Sequence, residues 1–172
     1  MPKEIERKFL VNPSKLPRLG KGQVITQGFL CFDPVTRVRI IDKKAFLTVK
    51  GGGNPAAMCY PYGPLQREEF EYPIPVEAAE AMFRLCTGGY IMRKTRYLLG
   101  RWEIDEFIGP PDLKGLWLAE IELKSEKEKV EIPDWTYREV TSNRVFQNAM
   151  LSKRPWDAQT YFKPPQASRK HS

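Results

Sequence analysis

Histidine is nearly missing from this chain: the single copy, His171, stands one residue from the C-terminal end. Histidine-based acid–base catalysis and histidine-ligated zinc are thereby set aside. Cysteine is scarce as well. Cys31, Cys59 and Cys86 are odd in number and form no C-x-x-C pair, which argues against a disulfide framework or a zinc site and suits reduced thiols in the cytoplasm. No apolar run approaches the roughly 20 residues a membrane-spanning helix needs. The opening Met1-Pro2-Lys3-Glu4 has no apolar signal core. A cytoplasmic protein without a membrane partner is expected. Any metal must find carboxylate ligands, which favours a hard cation such as Mg2+ or Mn2+.

Helical periodicity is also in short supply, and period-2 alternation dominates. Strands are expected near residues 3–11, 23–31, 36–41, 44–50, 67–74, 89–99, 101–108 and 116–124. A helix should follow Pro75, because Val76–Leu85 is rich in helix formers and proline suits a first turn. Gly88 and Gly89 should stop it. A second helix is expected over 141–151, capped by Thr141 or Ser142. Residues 51–65 form a Gly/Pro-rich loop too long for a tight hairpin. The 172 residues suit one domain, residues 1–155, with the Pro-rich, basic stretch 156–172 as a flexible extension. Eight strands joined mostly by short connections point to an α+β fold built on a barrel or a two-sheet sandwich.

The net charge of +7 alone fits nucleic acid, an anionic membrane or a small polyanion. Its distribution decides. Six strands carry two like charges two residues apart: Glu4 and Glu6, Arg37 and Arg39, Glu69 and Glu71, Lys94 and Arg96, Glu103 and Asp105, Glu120 and Glu122. Lys8 extends the first pair and Lys50 ends the fourth strand. Residues i and i+2 of a strand share a face, roughly 7 Å apart. The other face of these strands is apolar: Ile5, Phe9, Val38, Leu47, Ile104 and Ile121 are examples. A solvated sheet face also alternates, but it normally mixes signs and neutral residues. Doubling one sign costs repulsion unless an opposite charge lies between. Cations of this kind suit a polyphosphate, and carboxylates suit divalent metal. If the charged face turns inward, the result is a polar tunnel.

At Glu4-Ile5-Glu6-Arg7-Lys8 the chain resembles the E-x-E-x-K opening of the CYTH, or triphosphate tunnel metalloenzyme, superfamily. The remaining pairs follow in that family's order, from Arg37-Val38-Arg39 to Glu120-Ile121-Glu122. Pro133-Asp134-Trp135 and Glu139-Val140-Thr141 resemble the short bacterial inorganic triphosphatases most closely. Two departures stand out. Thr136-Tyr137-Arg138 replaces a segment where the family usually has glycine, and Val145-Phe146 aligns with its usual Arg-Tyr pair in the plug helix.

The resemblance implies an eight-stranded antiparallel barrel with helices outside and a metal-dependent triphosphatase within. Lys8, Arg37, Arg39, Lys50, Lys94 and Arg96 would bind substrate. Glu4, Glu6, Glu69, Glu71, Glu103, Asp105, Glu120 and Glu122 would hold one or two Mg2+ or Mn2+ ions. Of these, Glu4, Glu6, Glu69, Glu71, Glu103 and Asp105 are also assigned to catalysis with Lys8, and Glu69, Glu71, Glu103 and Asp105 are candidates for the base. The rival on the same fold is a class IV adenylate cyclase, which would also need to hold adenine. A nucleoside or RNA triphosphatase is a further variant. A nucleic-acid binding module is disfavoured, because the carboxylate pairs would repel it. A homodimer is compatible with the family.

Overall fold

The computed structural model describes residues 5–51, 68–125, 127–159 and 161–162. Glu4, Cys59, the loop up to residue 65 and the stretch from Lys163 lie outside them. Nine strands form one antiparallel sheet: β1 (Glu6–Val11), β2 (Gln23–Phe32), β3 (Val35–Ile41), β4 (Lys44–Gly51), β5 (Glu68–Ile74), β6 (Met92–Leu99), β7 (Trp102–Gly109), β8 (Trp117–Glu122) and β9 (Thr136–Glu139). Their order is β5-β4-β3-β2-β6-β7-β8-β1-β9.

The expected closed eight-stranded barrel is corrected on two counts. There is a ninth strand, and among the described residues the sheet is not closed. β9 occupies the free side of β1, the edge that closure onto β5 would use. The sheet is nevertheless strongly curled. Glu6 on β1 and Lys50 on β4 stand six places apart in the strand order, yet each feels the other's charge. A flat sheet would hold strands so far apart at nearly 30 Å, given about 4.8 Å per neighbour.

The outer face is apolar, as the alternation requires. Over β1, β7 and β8, Phe9, Trp102, Ile104, Ala119 and Ile121 are buried with Trp135. Trp102 meets Phe9 and Trp135 edge-on, with ring centroids 5.6 and 5.3 Å away. The resemblance to the family puts helices outside the barrel, where Trp102 and Trp117 lie. Instead Leu16, Leu19 and Val130, from segments outside the α-helices, pack there. Helix α1 (Val76–Phe83) covers β3 and β4 through the buried Ala79, against Val38 and Ala45. It ends before the Gly88–Gly89 pair, leaving Leu85 exposed rather than in the core. At Gly28 on β2 a Cβ would lie 2.6 Å from Ile91 and 2.8 Å from the Cys86 sulfur. The missing side chain lets the chain after α1 lie directly on the sheet.

The inner face is not charged throughout. Along five strands it switches to apolar at the next inward position: Lys8 to Leu10, Gln27 to Phe29, Lys94 to Met92, Asp105 to Phe107 and Glu120 to Leu118. All five apolar residues are at most 3% exposed and form one cluster with Phe146 and Leu151. Those two come from the segment expected as a single helix over 141–151. It is a 3-10 turn, Arg144–Phe146, followed by helix α2 (Asn148–Lys153). Asn143 takes the capping role, accepting the Val145 N–H at 3.1 Å, a side-chain bond that competes with helix start at Thr141. Helix α3 (Trp156–Gln159) follows, with Ala158 and Phe162 in or against the same cluster.

Candidate active site

Above the apolar floor lies a cavity of about 470 Å3. Glu6, Arg37, Arg39, Lys50, Glu69, Glu71, Lys94, Arg96, Glu103, Glu120 and Glu122 all line it. Their alternation on antiparallel strands brings them together; Glu6 stands opposite Glu122, and Lys8 opposite Glu120. Lys8 and Asp105 sit just behind the wall, paired with residues that line it.

The charges sort into two clusters. On the β1, β6, β7 and β8 side, Lys8 Nζ lies 2.8 Å from Glu120 and 3.7 Å from Glu6. It also donates to the Phe146 carbonyl at 3.3 Å. Asp105 accepts from Lys94 at 2.5 Å and from Arg96 through two nitrogens at 2.7 Å each. Arg96 also bonds Glu103 and reaches Glu120 at 3.5 Å. On the β3, β4 and β5 side, Lys50 pairs with Glu69 at 2.7 Å and Arg39 with Glu71 at 2.9 Å. Thr48 donates to Glu71 at 2.8 Å. Arg37 lies farther from both carboxylates, at 3.8 and 3.9 Å.

These pairings do not relieve all of the like-charge crowding. Burial raises the Glu6 carboxyl above its ordinary range; Lys8 opposes this and Glu120 adds to it. Burial likewise pushes the Arg37 guanidinium down to about 10, with Arg39 adding to the effect and Glu69 opposing it. Burial lowers Lys94 despite Asp105, and Arg96 contributes. By contrast Lys8 is pushed up to about 12: burial works against its charge, but Glu120 and Glu6 outweigh it. Burial opposes the Glu120 charge too, yet Lys8, Lys94 and Arg96 hold its carboxyl well below the usual range. A cation near Glu6 and an anion near Arg37 would each relieve what the protein leaves unrelieved.

The donor set fits a divalent cation of the hard class. It offers carboxylate oxygens, with no histidine, and the described cysteines, Cys31 and Cys86, are not among the lining residues. Among the described residues no three carboxylates gather closely enough to hold a metal by themselves. That suits Mg2+-type binding through one or two carboxylates and substrate phosphates rather than a dedicated cage.

Sequence reading missed seven lining residues: Gln23, Ile25 and Gln27 on β2, Ile41 at the end of β3, Leu98 at the outer end of β6, Arg101 from the β6–β7 turn, and Asn148 at the start of α2. Thr48, at the centre of the second cluster, was missed as well. The search was for doubled charge, and most of these are neutral. The signal was present in Gln23-x-Ile25-x-Gln27, whose members share the inward face.

With this curled antiparallel sheet and its inward clusters of cations and carboxylates, the chain belongs to the CYTH domain family, whose domain its residues 2–155 match. Among particular proteins, the chain is 39% identical over 163 residues to the inorganic triphosphatase of Acetivibrio thermocellus, spanning 91% of this chain and 97% of that one. It is also similar to the crystal structure of the inorganic triphosphatase NE1496, with a TM-score of 0.62 and 29% identity, over 89% of this chain and 96% of that one. A structure of the hypothetical protein NE1496 agrees at the same TM-score, with 30% identity over 87% and 97%.

Proposed function

We propose that this protein hydrolyses triphosphate, with inorganic tripolyphosphate as the substrate, in the cavity between the two charge clusters. The carrying observation is the crowding of opposite kinds left on its walls, with Arg37 and Arg39 side by side on β3, and Glu6 and Glu120 on the paired strands β1 and β8. Two of the similar proteins are inorganic triphosphatases. The curled sheet serves as a tunnel-like enclosure, although its edge strands do not pair.

In this reading Arg37, Arg39, Lys50 and Arg96 take phosphoryl oxygens, and the buried Lys8 and Lys94 add positive potential behind them. Glu6, Glu120 and Glu122 would hold Mg2+ or Mn2+ together with substrate oxygens, with Glu4 as a further ligand. Such an ion supplies charge neutralisation and makes a bound water more acidic. Water attacks the terminal phosphorus, its bond to the bridging oxygen breaks, and pyrophosphate leaves against the cations. The water's proton passes to a carboxylate, with Glu69, Glu71 and Glu103 as the candidates. Asp105 drops out of that role. Burial opposes its charge, but Lys94 and Arg96 outweigh this and hold its carboxyl low, so it positions those two cations instead. Catalysis is then mostly positioning and electrostatics.

The test is phosphate release from tripolyphosphate, ATP, thiamine triphosphate and pyrophosphate, each with Mg2+, Mn2+ or EDTA. Metal-dependent release, greatest for tripolyphosphate, is expected. No release with any divalent ion, or cyclic AMP formed from ATP, would reject the reading.

A further inference from the structure

Among the described residues, three buried N–H donors in the cavity wall have no acceptor: Gln27 Nε2, Arg37 Nε and Arg39 Nε. Gln27 is 1% exposed. It stands directly opposite Arg39 in the β2–β3 register, and Arg37 is the next inward residue on β3. All three residues line the cavity. Buried N–H groups rarely go without a partner, and three on adjacent strands call for a common one.

The described residues do not supply it. Glu71 accepts from Arg39 Nη2 and from Thr48, and Glu69 pairs with Lys50. Arg37 Nη2 donates to Thr48 at 3.4 Å. An acceptor for the three donors must come with a ligand, and it must be rich in oxygen lone pairs.

Position says which part of the ligand. The next inward residue on β2 is Phe29, and Met92 stands opposite Gln27 on β6; both belong to the apolar floor. Gln27 is therefore the last polar group on its strand before the interior turns apolar. An amide here has a further merit. It adds a donor without adding charge where Arg37 and Arg39 already crowd one another.

We propose that Gln27 contacts the substrate, its amide donating to a phosphoryl oxygen at the floor of the cavity alongside the Nε–H groups of Arg37 and Arg39. This rests on the triphosphate reading above and adds to it a neutral residue that sets how the inner end of the anion is held.

The experiment uses the full chain with Gln27→Leu and Gln27→Glu. Three quantities are compared with wild type: the thermal midpoint without ligand, calorimetric affinity for inorganic tripolyphosphate with EDTA present, and kcat/KM with Mn2+. Q27L removes an unmet buried donor, so its midpoint should hold or rise. Its affinity and kcat/KM should both fall about tenfold or more, the loss of one hydrogen bond to a charged group. Q27E can accept from the two Nε–H groups, so it should raise the midpoint and weaken binding further still. A lowered midpoint with unchanged affinity in Q27L would make the residue structural and overturn the proposal. If Q27L does not fold, Q27E decides alone: affinity within about twofold of wild type overturns it. Wild-type protein that neither binds nor hydrolyses tripolyphosphate overturns both readings. Normal wild-type turnover with an unaffected Q27L overturns only this one.

Discussion

Lys8 on β1 stands directly opposite Glu120 on β8, and its ammonium reaches the carboxylate at 2.8 Å in the buried wall of the cavity. The segment after β9 fixes Lys8 from three sides. Thr141 accepts its backbone N–H at 3.0 Å, its carbonyl takes the Val140 N–H at 2.8 Å, and its ammonium reaches the Phe146 carbonyl. The pair joins the substrate cavity to the packing beneath it.

Breaking that pair from one side should be costly. Lys8→Met leaves Glu120 buried without its main partner, and about 3–5 kcal/mol of stability should be lost. Glu120→Gln alone should also destabilise. The double variant should lose clearly less than the sum, because no isolated charge remains. Urea denaturation of the four proteins measures this; additive losses would mean that the two groups are not coupled.

Glu6 should behave in the opposite sense. Its carboxyl is raised in the folded protein, chiefly by burial. A raised acid costs stability progressively as pH climbs from its unfolded value, 4.5, to its higher folded value, and in full above that, because the charged form is held in an unfavourable place. Glu6→Gln should therefore raise the thermal midpoint at pH 8 and change it little at pH 4. The same substitution should cut tripolyphosphate turnover by about a hundredfold or more, in the range seen for loss of a group that acts in the transition state. A variant both less stable at pH 8 and fully active would contradict this account.

Acid should unfold the protein through its depressed carboxylates. Glu120 ionises well below its ordinary 4.5, since the cations around it outweigh the effect of burial. Its contribution is fully present above pH 4.5 and drains away as pH falls toward the lower folded value. Asp105 acts in the same direction. Midpoints measured from pH 7 to pH 3 should decline most steeply below about 4.5, with the decline shallower in E120Q. An identical slope in the variant would assign acid sensitivity to other groups.

Phe146→Ala should test the floor. Phe146 is fully buried among Leu10, Phe107 and Leu118. Truncating such a side chain costs about 3–5 kcal/mol. Because its carbonyl, not its ring, meets Lys8, tripolyphosphate affinity at low temperature should change far less than stability. Calorimetry at 10 °C together with a thermal melt separates the two.

Much of this arrangement was legible because charge pairs on strands leave a distinctive mark. Arg37 and Arg39, or Glu69 and Glu71, announce a shared face without any knowledge of the sheet. Helix α1 was equally plain from Pro75 and the residues after it. Strand β9 was not: Thr136–Glu139 is four residues long, has no apolar alternation, and exists because β1 offers a free edge. The apolar floor was hidden for another reason. Leu10, Met92 and Leu118 share parity with Lys8, Lys94 and Glu120, so they alternate correctly, but nothing in a single strand says that its interior changes character halfway along. Gln27 escaped because a neutral residue leaves no mark in a search for paired charge.

The midway change along five of the strands means that the molecule's most soluble and least soluble surfaces are the same surface. Leu118 and Glu120 differ by two positions, yet one packs in the apolar floor and the other faces the charges of the cavity. Evolution, or an engineer, can therefore remodel the upper tier for a different anion while leaving the lower tier untouched. The short step between tiers, one pleat of a β-strand, is where that freedom ends.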